Sequence, residues 1–321
     1  MPSSTRKQSR ASTSDRAAEQ RSPATNRAAR PAAQVVRGSV IRKDTKPRKS
    51  RRRKRRASRF TAATADRHEL YQLAVQSADT DVRFHRRVFK KLRGREPLHY
   101  REDFCGTGLL SSEWIQLSPR HTAEGFDIDP EPVAWGLAHN LEPLGEVARR
   151  YTVHLKDVRA PGRRRPDVRV AQNFSYYCFR ERNALLDYFR AAREHLADDG
   201  IFFIDLYGGS ESGDTMEETT RCRGFDYVWN QASYFPGTGE YVCHIHFRFP
   251  DGTEMRRAFT YHWRKWSLVE LKDLLLDAGF ARVIPYFEGT AKDGSSGDGN
   301  FRPGVRGEHC PAWIAYLVAL K

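Results

Sequence analysis

The stretch Arg101–Leu110, with the sequence REDFCGTGLL, combines carboxylates with two closely spaced glycines. Gly106 and Gly108 give a turn the backbone freedom that lets a ligand approach closely, and N–H groups of a following helix can point at that ligand. Glu102 places a carboxyl group at the end of the preceding strand-like segment. A lone Gly-x-Gly is also a common tight turn, so this stretch needs support from elsewhere in the chain.

Two later carboxylates follow the ends of the next two strand-like segments. Asp127, in Gly125-Phe-Asp-Ile-Asp-Pro, lies about 20 residues beyond the glycines, where an acid can accept both ribose hydroxyls of an adenosine. Asp129 is the weaker candidate, because an acid directly before a proline commonly caps a helix. Asp157, in Lys156-Asp-Val-Arg, could accept a hydrogen bond from an exocyclic adenine amine, although alone it indicates a surface turn.

Alternating strands and helices must position these residues. Apolar spacing predicts one or two amphipathic helices over residues 67–93, and order is expected to begin near Asp66. The strand–helix alternation that follows predicts a parallel sheet covered on both faces. The predicted strands are 98–104, 121–127, 151–155, 168–173 and 201–207, and the predicted helices are 109–116, 133–141 and 184–196.

The pattern changes after Tyr207 to strand-like segments joined by short glycine-containing turns, which predicts an antiparallel insert over residues 208–264. A helix capped by Ser267 and ended by Gly279 then leads to two closing strands. The predicted elements of this part are strands 225–235, 241–249 and 255–263, helix 268–278, strands 281–287 and 313–320, and a mobile Gly/Ser/Asp-rich loop over 289–307.

Several of these segments, in order, resemble the class I S-adenosylmethionine-dependent methyltransferases, in particular the small-molecule-type methyltransferase domain. Glu-Asp-Phe-Cys-Gly-Thr-Gly is similar to the family's glycine-rich motif, Gly-Phe-Asp-Ile-Asp-Pro to its acidic motif and Lys-Asp-Val to its adenine-side motif. Residues 167–175, 196–205 and 266–280 are similar to later elements, so the resemblance covers roughly residues 70–321 apart from the insert. It implies a Rossmann-like α/β domain over 66–321 with a seven-stranded, mostly parallel sheet that ends in an antiparallel hairpin.

The resemblance also implies S-adenosylmethionine as cofactor and gives each motif residue a role. Its methionine portion would lie along Glu102, Gly106 and Gly108, its ribose against Asp127, and its adenine against Asp157 and Val158. Asn173 and Phe174 would lie between cofactor and acceptor, and Asn173 and Tyr177 are the candidate catalytic residues.

Two departures from the family pattern bear on the substrate. Phe104 replaces the third glycine of the first motif, so the methionine end of the cofactor is expected to be held differently. The loop after the fourth strand, Gln-Asn-Phe-Ser, is not the Pro-Pro-Tyr loop of amino-methylating nucleic-acid enzymes. The Pro-Cys loop of cytosine-carbon methylases is absent too, since Cys310-Pro311 has the reverse order. Both differences disfavour nucleic-acid methylation.

Methyl transfer to a small molecule is therefore the expected function. Two alternatives stay open: an RNA or protein methyltransferase that holds its substrate with the basic N-terminal segment, and a noncatalytic nucleic-acid-binding protein with a relic methyltransferase domain. Motif residues that the fold alone does not require argue against the relic. A general base is needed only if the acceptor is protonated at the working pH.

The insert contains residues that could bind or react with a ligand, but their spacing matches no known motif. His244 and His246 alternate on one strand, yet no third ligand accompanies them, so no metal site is predicted. Tyr71 and Gln76, ahead of the first strand, could close over the cofactor or simply pack. The insert, residues 208–264, is expected to cover the acceptor site as a lid. A set of aromatic residues could floor a pocket, hold a cationic amine, or pack as core between insert and sheet: Tyr176, Tyr177, Tyr234, Tyr261, Trp263 and Trp266.

The charge of the chain is divided unevenly. Residues 1–60 carry 20 Lys and Arg against three acids, whereas the remainder carries 35 basic and 37 acidic residues. The first segment has too few apolar side chains to fold, so it is expected to be a disordered tail with nonspecific affinity for polyanions. No apolar run is long enough to span a membrane. Five widely spaced cysteines fit free thiols, so a cytoplasmic location is expected, and the oligomeric state stays open.

Overall fold

The structure is a computed structural model that describes residues 60–290 and 297–321. The predicted basic tail lies outside the described residues, apart from Phe60, whose ring is buried. The described α-helices are Arg67–Val75 (α1), Ala78–Arg93 (α2), Leu109–Gln116 (α3), Pro130–Gly136 (α4), Arg182–Glu194 (α5) and Leu268–Asp277 (α6). Helical turns of other types cover Leu137–Leu141, Glu142–Arg150 and Ser175–Cys178.

Twelve strands in the same described ranges form two sheets. They are His99–Asp103 (β1), Thr122–Asp127 (β2), Tyr151–Leu155 (β3), Val168–Ala171 (β4), Ile201–Gly208 (β5), Met216–Arg221 (β6), Asp226–Phe235 (β7), Glu240–Arg248 (β8), Glu254–Arg264 (β9), Arg282–Thr290 (β10), Gly297–Pro303 (β11) and Trp313–Leu320 (β12).

The large sheet has the order β11-β10-β12-β5-β4-β1-β2-β3. Strands β1 to β5 pair in parallel, and β12, β10 and β11 add antiparallel pairs at one side, which confirms the predicted mostly parallel fold with an antiparallel end. The sheet has eight strands rather than the predicted seven. The additional strand, β11, lies in the segment predicted to be a loop, and it pairs with β10 through Glu288 and Phe301.

Helices cover both faces of this sheet, because its central strands are apolar on both sides. On β5, Phe202 and Ile204 join the cluster that contains residues of α5 and α6, whereas Ile201 and Phe203 join the cluster on the α2 and α3 side. Each described helix is too short or too polar to cross a bilayer.

The insert is a four-stranded antiparallel sheet with the order β6-β7-β8-β9, as predicted except for β6, which adds an edge strand. Its strand β6 is polar and half exposed, so it has no apolar alternation to mark it in the sequence. One face of the insert packs against α1 through Leu70, Ala74, Ile245 and Phe247. Helix α1 begins at Asp66, whose carboxylate accepts hydrogen bonds from two backbone N–H groups of the first turn.

Candidate functional site

The glycine turn follows β1 directly and has three residues in the left-handed region. Phe104, Gly106 and Gly108 have φ values of 54°, 49° and 64°. The turn is held by hydrogen bonds from the Cys105 N–H to the Phe126 carbonyl, 3.0 Å, and from the Gly108 N–H to the Cys105 carbonyl, 2.8 Å. Phe104 thus has the backbone conformation that favours glycine, at the position where the family pattern has glycine.

Asp127 is joined to this turn at the end of β2. Its Oδ2 accepts a hydrogen bond from the Gly106 N–H at 2.8 Å, and its Oδ1 accepts one from the Asp129 N–H at 3.0 Å. Burial raises the pKa of the Asp127 carboxyl above its ordinary value. Ile128 is a third backbone donor to this carboxylate, which can accept about four hydrogen bonds, so the group retains capacity for a ligand. A side chain at Gly106 would meet nothing within 4 Å, so open space lies beside the turn.

Glu102 faces the beginning of α3 and is only 3% exposed. Its Oε2 accepts hydrogen bonds from the Ser111 N–H, 2.9 Å, and the Ser111 hydroxyl, 2.6 Å. Burial raises the pKa of Glu102 to about 8, although the two bonds from Ser111 act in the opposite direction. Glu102 thus joins the end of β1 to the first turn of α3, and its place beside the methionine portion of the cofactor stays a prediction.

Asp157 lies in the turn after β3 and is paired locally. Its two oxygens accept hydrogen bonds from the Arg159 side chain at 2.9 and 2.7 Å, which lowers the pKa of the Asp157 carboxyl. Both residues are partly exposed, so this pair is weak and open to exchange with a ligand.

Val158, the next residue, is fixed by a buried charged group. Its carbonyl accepts hydrogen bonds from Arg101 and Arg169, both at 2.6 Å. The same two arginines donate to opposite oxygens of Asp103, which also accepts from the Tyr188 hydroxyl. The guanidinium of Arg101 lies 3.6 Å from the centre of the Phe126 ring. This group, Arg101, Asp103, Arg169 and Tyr188, joins the ends of β1, β4 and α5 beneath the turn.

The loop after β4 is held in a strained conformation. Asn173 and Phe174 have φ values of 56° and 58°, which side-chain-bearing residues seldom adopt in succession. Their backbone N–H groups donate to the two oxygens of Asp205 at 2.9 and 3.0 Å, and Asp205 is fully buried. The Tyr176 hydroxyl donates to the Asp205 carbonyl at 2.7 Å. Strain supported in this way is typical of functional loops.

Helix α1 is bonded to the loops that follow β1 and β2. The Gln72 amide donates to the Thr107 hydroxyl in the glycine turn at 2.8 Å. Two consecutive side chains, Arg67 and His68, contact Glu131 at the start of α4 at 2.6 and 3.0 Å and lower the pKa of its carboxyl. The sequence argument named Gln76 as a residue that could close over the cofactor, whereas the hydrogen bond to the turn comes from Gln72, one helical turn earlier.

An aromatic pocket lies between α1, the insert, the loop after β4, and the ends of β5 and β12. Seven of its twelve lining residues are aromatic. Asn173 and Phe174 form its boundary with the large sheet. The full lining is Tyr71, Ala74, Val75, Asn173, Phe174, Tyr207, Tyr227, Trp229, Ile245, Tyr261, Trp263 and Ile314.

The aromatic residues singled out from the sequence divide between pocket and core. Tyr261 and Trp263 line the pocket, whereas Tyr176 and Trp266 are buried in the core. Tyr177, a candidate catalytic residue, is 1% exposed, is absent from the pocket lining, and its hydroxyl donates to the Trp266 carbonyl at 3.4 Å. The remaining member, Tyr234, is half-buried against Tyr241.

The two histidines of β8 have separate local partners. His244 Nδ1 lies 2.9 Å from the Thr260 hydroxyl, and His246 Nδ1 accepts from the Arg257 N–H at 2.7 Å. Their rings are 6.0 Å apart. Within residues 60–290 and 297–321, no group of three His, Cys, Asp or Glu side chains is arranged to hold a metal ion.

Ile128, just beyond the end of β2, was not singled out by the sequence argument. It follows Asp127 directly, and 75% of it is exposed, which is unusual for a large β-branched side chain. An apolar residue between two acids at a strand end was the available signal in the sequence.

The glycine turn, Asp127, Asp157 and the Asn173–Phe174 loop lie at one edge of the large sheet, at or beyond the carboxyl ends of β1, β2, β3 and β4. The chain reverses direction across the sheet between β1 and β4, which are neighbours although β2 and β3 intervene in sequence. Open α/β sheets bind ligands in the crevice at this kind of switch point. The glycine turn follows one of these two strands, and the Asn173–Phe174 loop follows the other.

Comparisons with known proteins agree with this architecture. No protein-family model matches the chain, and no curated protein matches it in sequence. Solved structures do match. A S-adenosylmethionine-dependent methyltransferase from Clostridium acetobutylicum ATCC 824 is similar with a TM-score of 0.56 and 16% identity, over 79% of this chain and 97% of that one.

Two enzymes from other bacteria are similar to the same extent. The S-adenosylmethionine-bound amino pentose methyltransferase CalS10 from Micromonospora echinaspora gives a TM-score of 0.54 at 14% identity, over 76% of this chain and 92% of that one. The sugar N-methyltransferase KedS8 from Streptoalloteichus sp ATCC 53650 gives 0.52 at 15% identity, over 88% and 99%. This chain therefore has the fold of the class I S-adenosylmethionine-dependent methyltransferases.

Proposed function

We propose that this protein binds S-adenosylmethionine at the ends of β1, β2 and β3 and transfers its methyl group to a small molecule. The observation that carries the proposal is the shared edge of the sheet. There Asp127 is bonded to the glycine turn, and the loop after the neighbouring strand β4 lines an aromatic pocket. Cofactor and acceptor sites would then meet at Asn173 and Phe174.

The residues present fit this cofactor. The open space beside Gly106 accommodates the methionine portion, and the backbone of the turn can approach it closely. Asp127 has free acceptor capacity for the ribose hydroxyls, and the exposed Ile128 offers an apolar surface for a flat adenine ring. Asp157 would exchange its exposed contact with Arg159 for the adenine amine, while Val158 stays fixed by the arginines beneath it.

The cofactor, when bound, supplies a methyl group on a positively charged sulfur. The protein's own contribution is placement: Asp127 and the glycine turn orient one reactant, and the aromatic pocket orients the other. The Asn173–Phe174 loop, fixed by Asp205, separates the two sites and sets the approach of the acceptor. Such positioning, together with exclusion of water by the apolar lining, supplies most of the rate of a reaction of this type.

The neighbours in the structure comparison support a small-molecule acceptor, since two of them methylate sugars. The insert, residues 208–264, supplies five of the twelve residues that line the pocket, which supports its assignment as the lid of the acceptor site. The domain would comprise residues 66–321, with the basic segment as a separate part of the chain. A cytoplasmic location remains the expectation from the cysteines.

The test is calorimetric titration of the full chain with S-adenosylmethionine, followed by incubation of metabolite extracts with the labelled cofactor. We expect label in the small-molecule fraction and not in RNA or protein. Asp127→Ala should weaken cofactor binding about 10- to 150-fold, because it removes a charge-assisted contact worth about 1.5–3 kcal/mol. Asp129→Ala is the matched control and should bind normally. Equal affinity of wild type and the folded Asp127→Ala variant would overturn the cofactor site.

A further inference from the structure

The pocket floor is an ordered group of rings on one face of the insert. Tyr261 and Trp263 stack with centroids 4.3 Å apart and planes 23° apart. Trp229, from β7, lies 6.3 and 6.4 Å from them, at 40° and 37°. The three planes are thus within about 40° of one another, and Tyr71 from α1 closes the pocket from the opposite element. The outer face of such a stack complements a flat ligand.

The same lining has no ionised group. None of its twelve residues, all within the described part of the chain, is an Asp, Glu, Lys, Arg or His. Its ionisable members are tyrosines, and burial raises the pKa of Tyr207, Tyr227 and Tyr261, so these hydroxyls remain protonated. Glu218 lies outside the lining, opposite Trp229 in the β6–β7 pairing. The lining residues themselves therefore supply neither a counter-ion for a charged acceptor nor a base for one that must lose a proton, although the charge of Glu218 acts on Tyr207 and Tyr227.

We infer that the acceptor is an uncharged, flat nitrogen heteroaromatic compound that is methylated on a ring nitrogen. This inference rests on the proposed function. Such a nitrogen carries a free electron pair at neutral pH and needs no base. Its electron pair forms the new N–CH₃ bond while the S–CH₃ bond breaks and returns its pair to sulfur. The positive charge passes from sulfur to nitrogen and no proton leaves, so the product is a flat cation, which aromatic faces stabilise.

Binding to the pocket is tested without the cofactor, by calorimetry with quinoline as the probe. Decahydroquinoline, which has the same skeleton but is aliphatic and cationic, is the comparison. We expect quinoline to bind at least about 10-fold more tightly, because only the flat ring stacks on the aromatic faces. Equal or tighter binding of decahydroquinoline would overturn the inference, whether or not S-adenosylmethionine binds.

Substitutions in the pocket test whether quinoline binds there. Trp229→Ala, on the half-buried strand β7, and Tyr71→Ala, on the separate helix α1, should each weaken quinoline binding about 10-fold, and Trp229→Phe should restore most of it. Trp135→Phe is the matched control, since that ring is half-buried but stacks on His139 outside the pocket. Loss of quinoline binding in the control, or unchanged binding in both folded alanine variants, would overturn the assignment.

Methyl transfer tests the atom that reacts. Labelled S-adenosylmethionine is supplied with equal sets of one- to three-ring nitrogen heteroaromatics, phenols and aliphatic amines. We expect products in the first set alone, and Glu218→Gln should turn over at the wild-type rate. Three results would overturn the nitrogen assignment. They are products among the phenols or aliphatic amines, no product at all in a protein that binds the cofactor, and a tenfold loss of turnover rate in the Glu218→Gln variant. Failure to bind the cofactor would instead refute the proposed function, so the proposed function and the nitrogen assignment fail on different results.

Discussion

Removal of the Asp205 carboxylate should release the loop that divides the two sites. Its two charge-assisted hydrogen bonds, at 2.9 and 3.0 Å, contribute about 3–6 kcal/mol together. Left-handed backbone at Asn173 and Phe174 costs about 2–4 kcal/mol for the pair. At the midpoints of these ranges the bonds outweigh the strain by about 1.5 kcal/mol in the wild type. In Asp205→Ala the strain stands alone, so the loop should relax.

Amide hydrogen exchange of the folded protein measures this directly. The Asn173 and Phe174 N–H groups should lose their protection in Asp205→Ala. Because binding must then restore the strained conformation, affinity for S-adenosylmethionine should fall by about 30-fold or more.

The matched control is Asp167→Ala. Asp167 also accepts from two consecutive N–H groups, those of Leu98 and His99, at 2.7 and 3.0 Å, but both bonds end on its Oδ2 and lie at the start of β1 and β4. Asp167→Ala should lower the free energy of unfolding without changing amide hydrogen exchange at Asn173 and Phe174 or affinity for S-adenosylmethionine. Unchanged protection of both loop amides in Asp205→Ala would refute the reasoning.

Three other perturbations have defined outcomes. The pKa of Glu102 is raised to about 8 from an ordinary 4.5, so the folded state binds this proton more tightly than the unfolded state. The free energy of unfolding should therefore fall by up to about 5 kcal/mol as the pH rises from 4.5 to 8. Glu102→Gln should lack this fall in urea titrations, and identical pH profiles would contradict the assignment. Gly106→Val should abolish cofactor binding in calorimetry, because the valine side chain fills the open space and opposes a positive φ. Gly108→Ala should weaken cofactor binding less. Normal cofactor binding by Gly106→Val would show that Gly106 is only a turn residue. Deletion of residues 1–59, which keeps the buried Phe60, should leave turnover nearly unchanged at low and moderate salt, and loss of activity with normal cofactor binding would favour a polyanionic acceptor.

The order of strands and helices was predictable because most elements have a strong apolar period. Strands β6 and β11 were not, since the first is polar along its length and the second is rich in glycine. In the folded chain β11 is stabilised from outside its own sequence, where Phe301 packs on Phe84 and Tyr316. Contacts with residues so far away in the chain cannot be predicted from the local sequence.

The candidate site was predictable to a smaller extent. The sequence motifs placed Asp127 and the glycine turn together, and the structure joins them by a hydrogen bond. That Phe104 would keep a glycine-like backbone could not be anticipated. Its ring packs against Phe179 and Tyr188, so tertiary contacts offset the local strain. The choice between Gln72 and Gln76 likewise depends on how α1 is rotated over the turn.

The buried group beneath Val158 has an unequal charge balance, with two guanidinium groups and one carboxylate that are at most 1% exposed. Arg101 is the less satisfied of the two arginines, because its Nη1 has no hydrogen-bond partner among the described residues and burial lowers its pKa. Replacement of Arg101 by a neutral side chain would remove surplus charge, whereas loss of Asp103 would leave two unopposed cations in a medium of low polarity. The three positions should therefore drift at different rates in evolution. Position 101 should tolerate substitution more readily than 103 or 169, although a neutral side chain there would leave Arg169 as the one arginine bonded to the Val158 carbonyl.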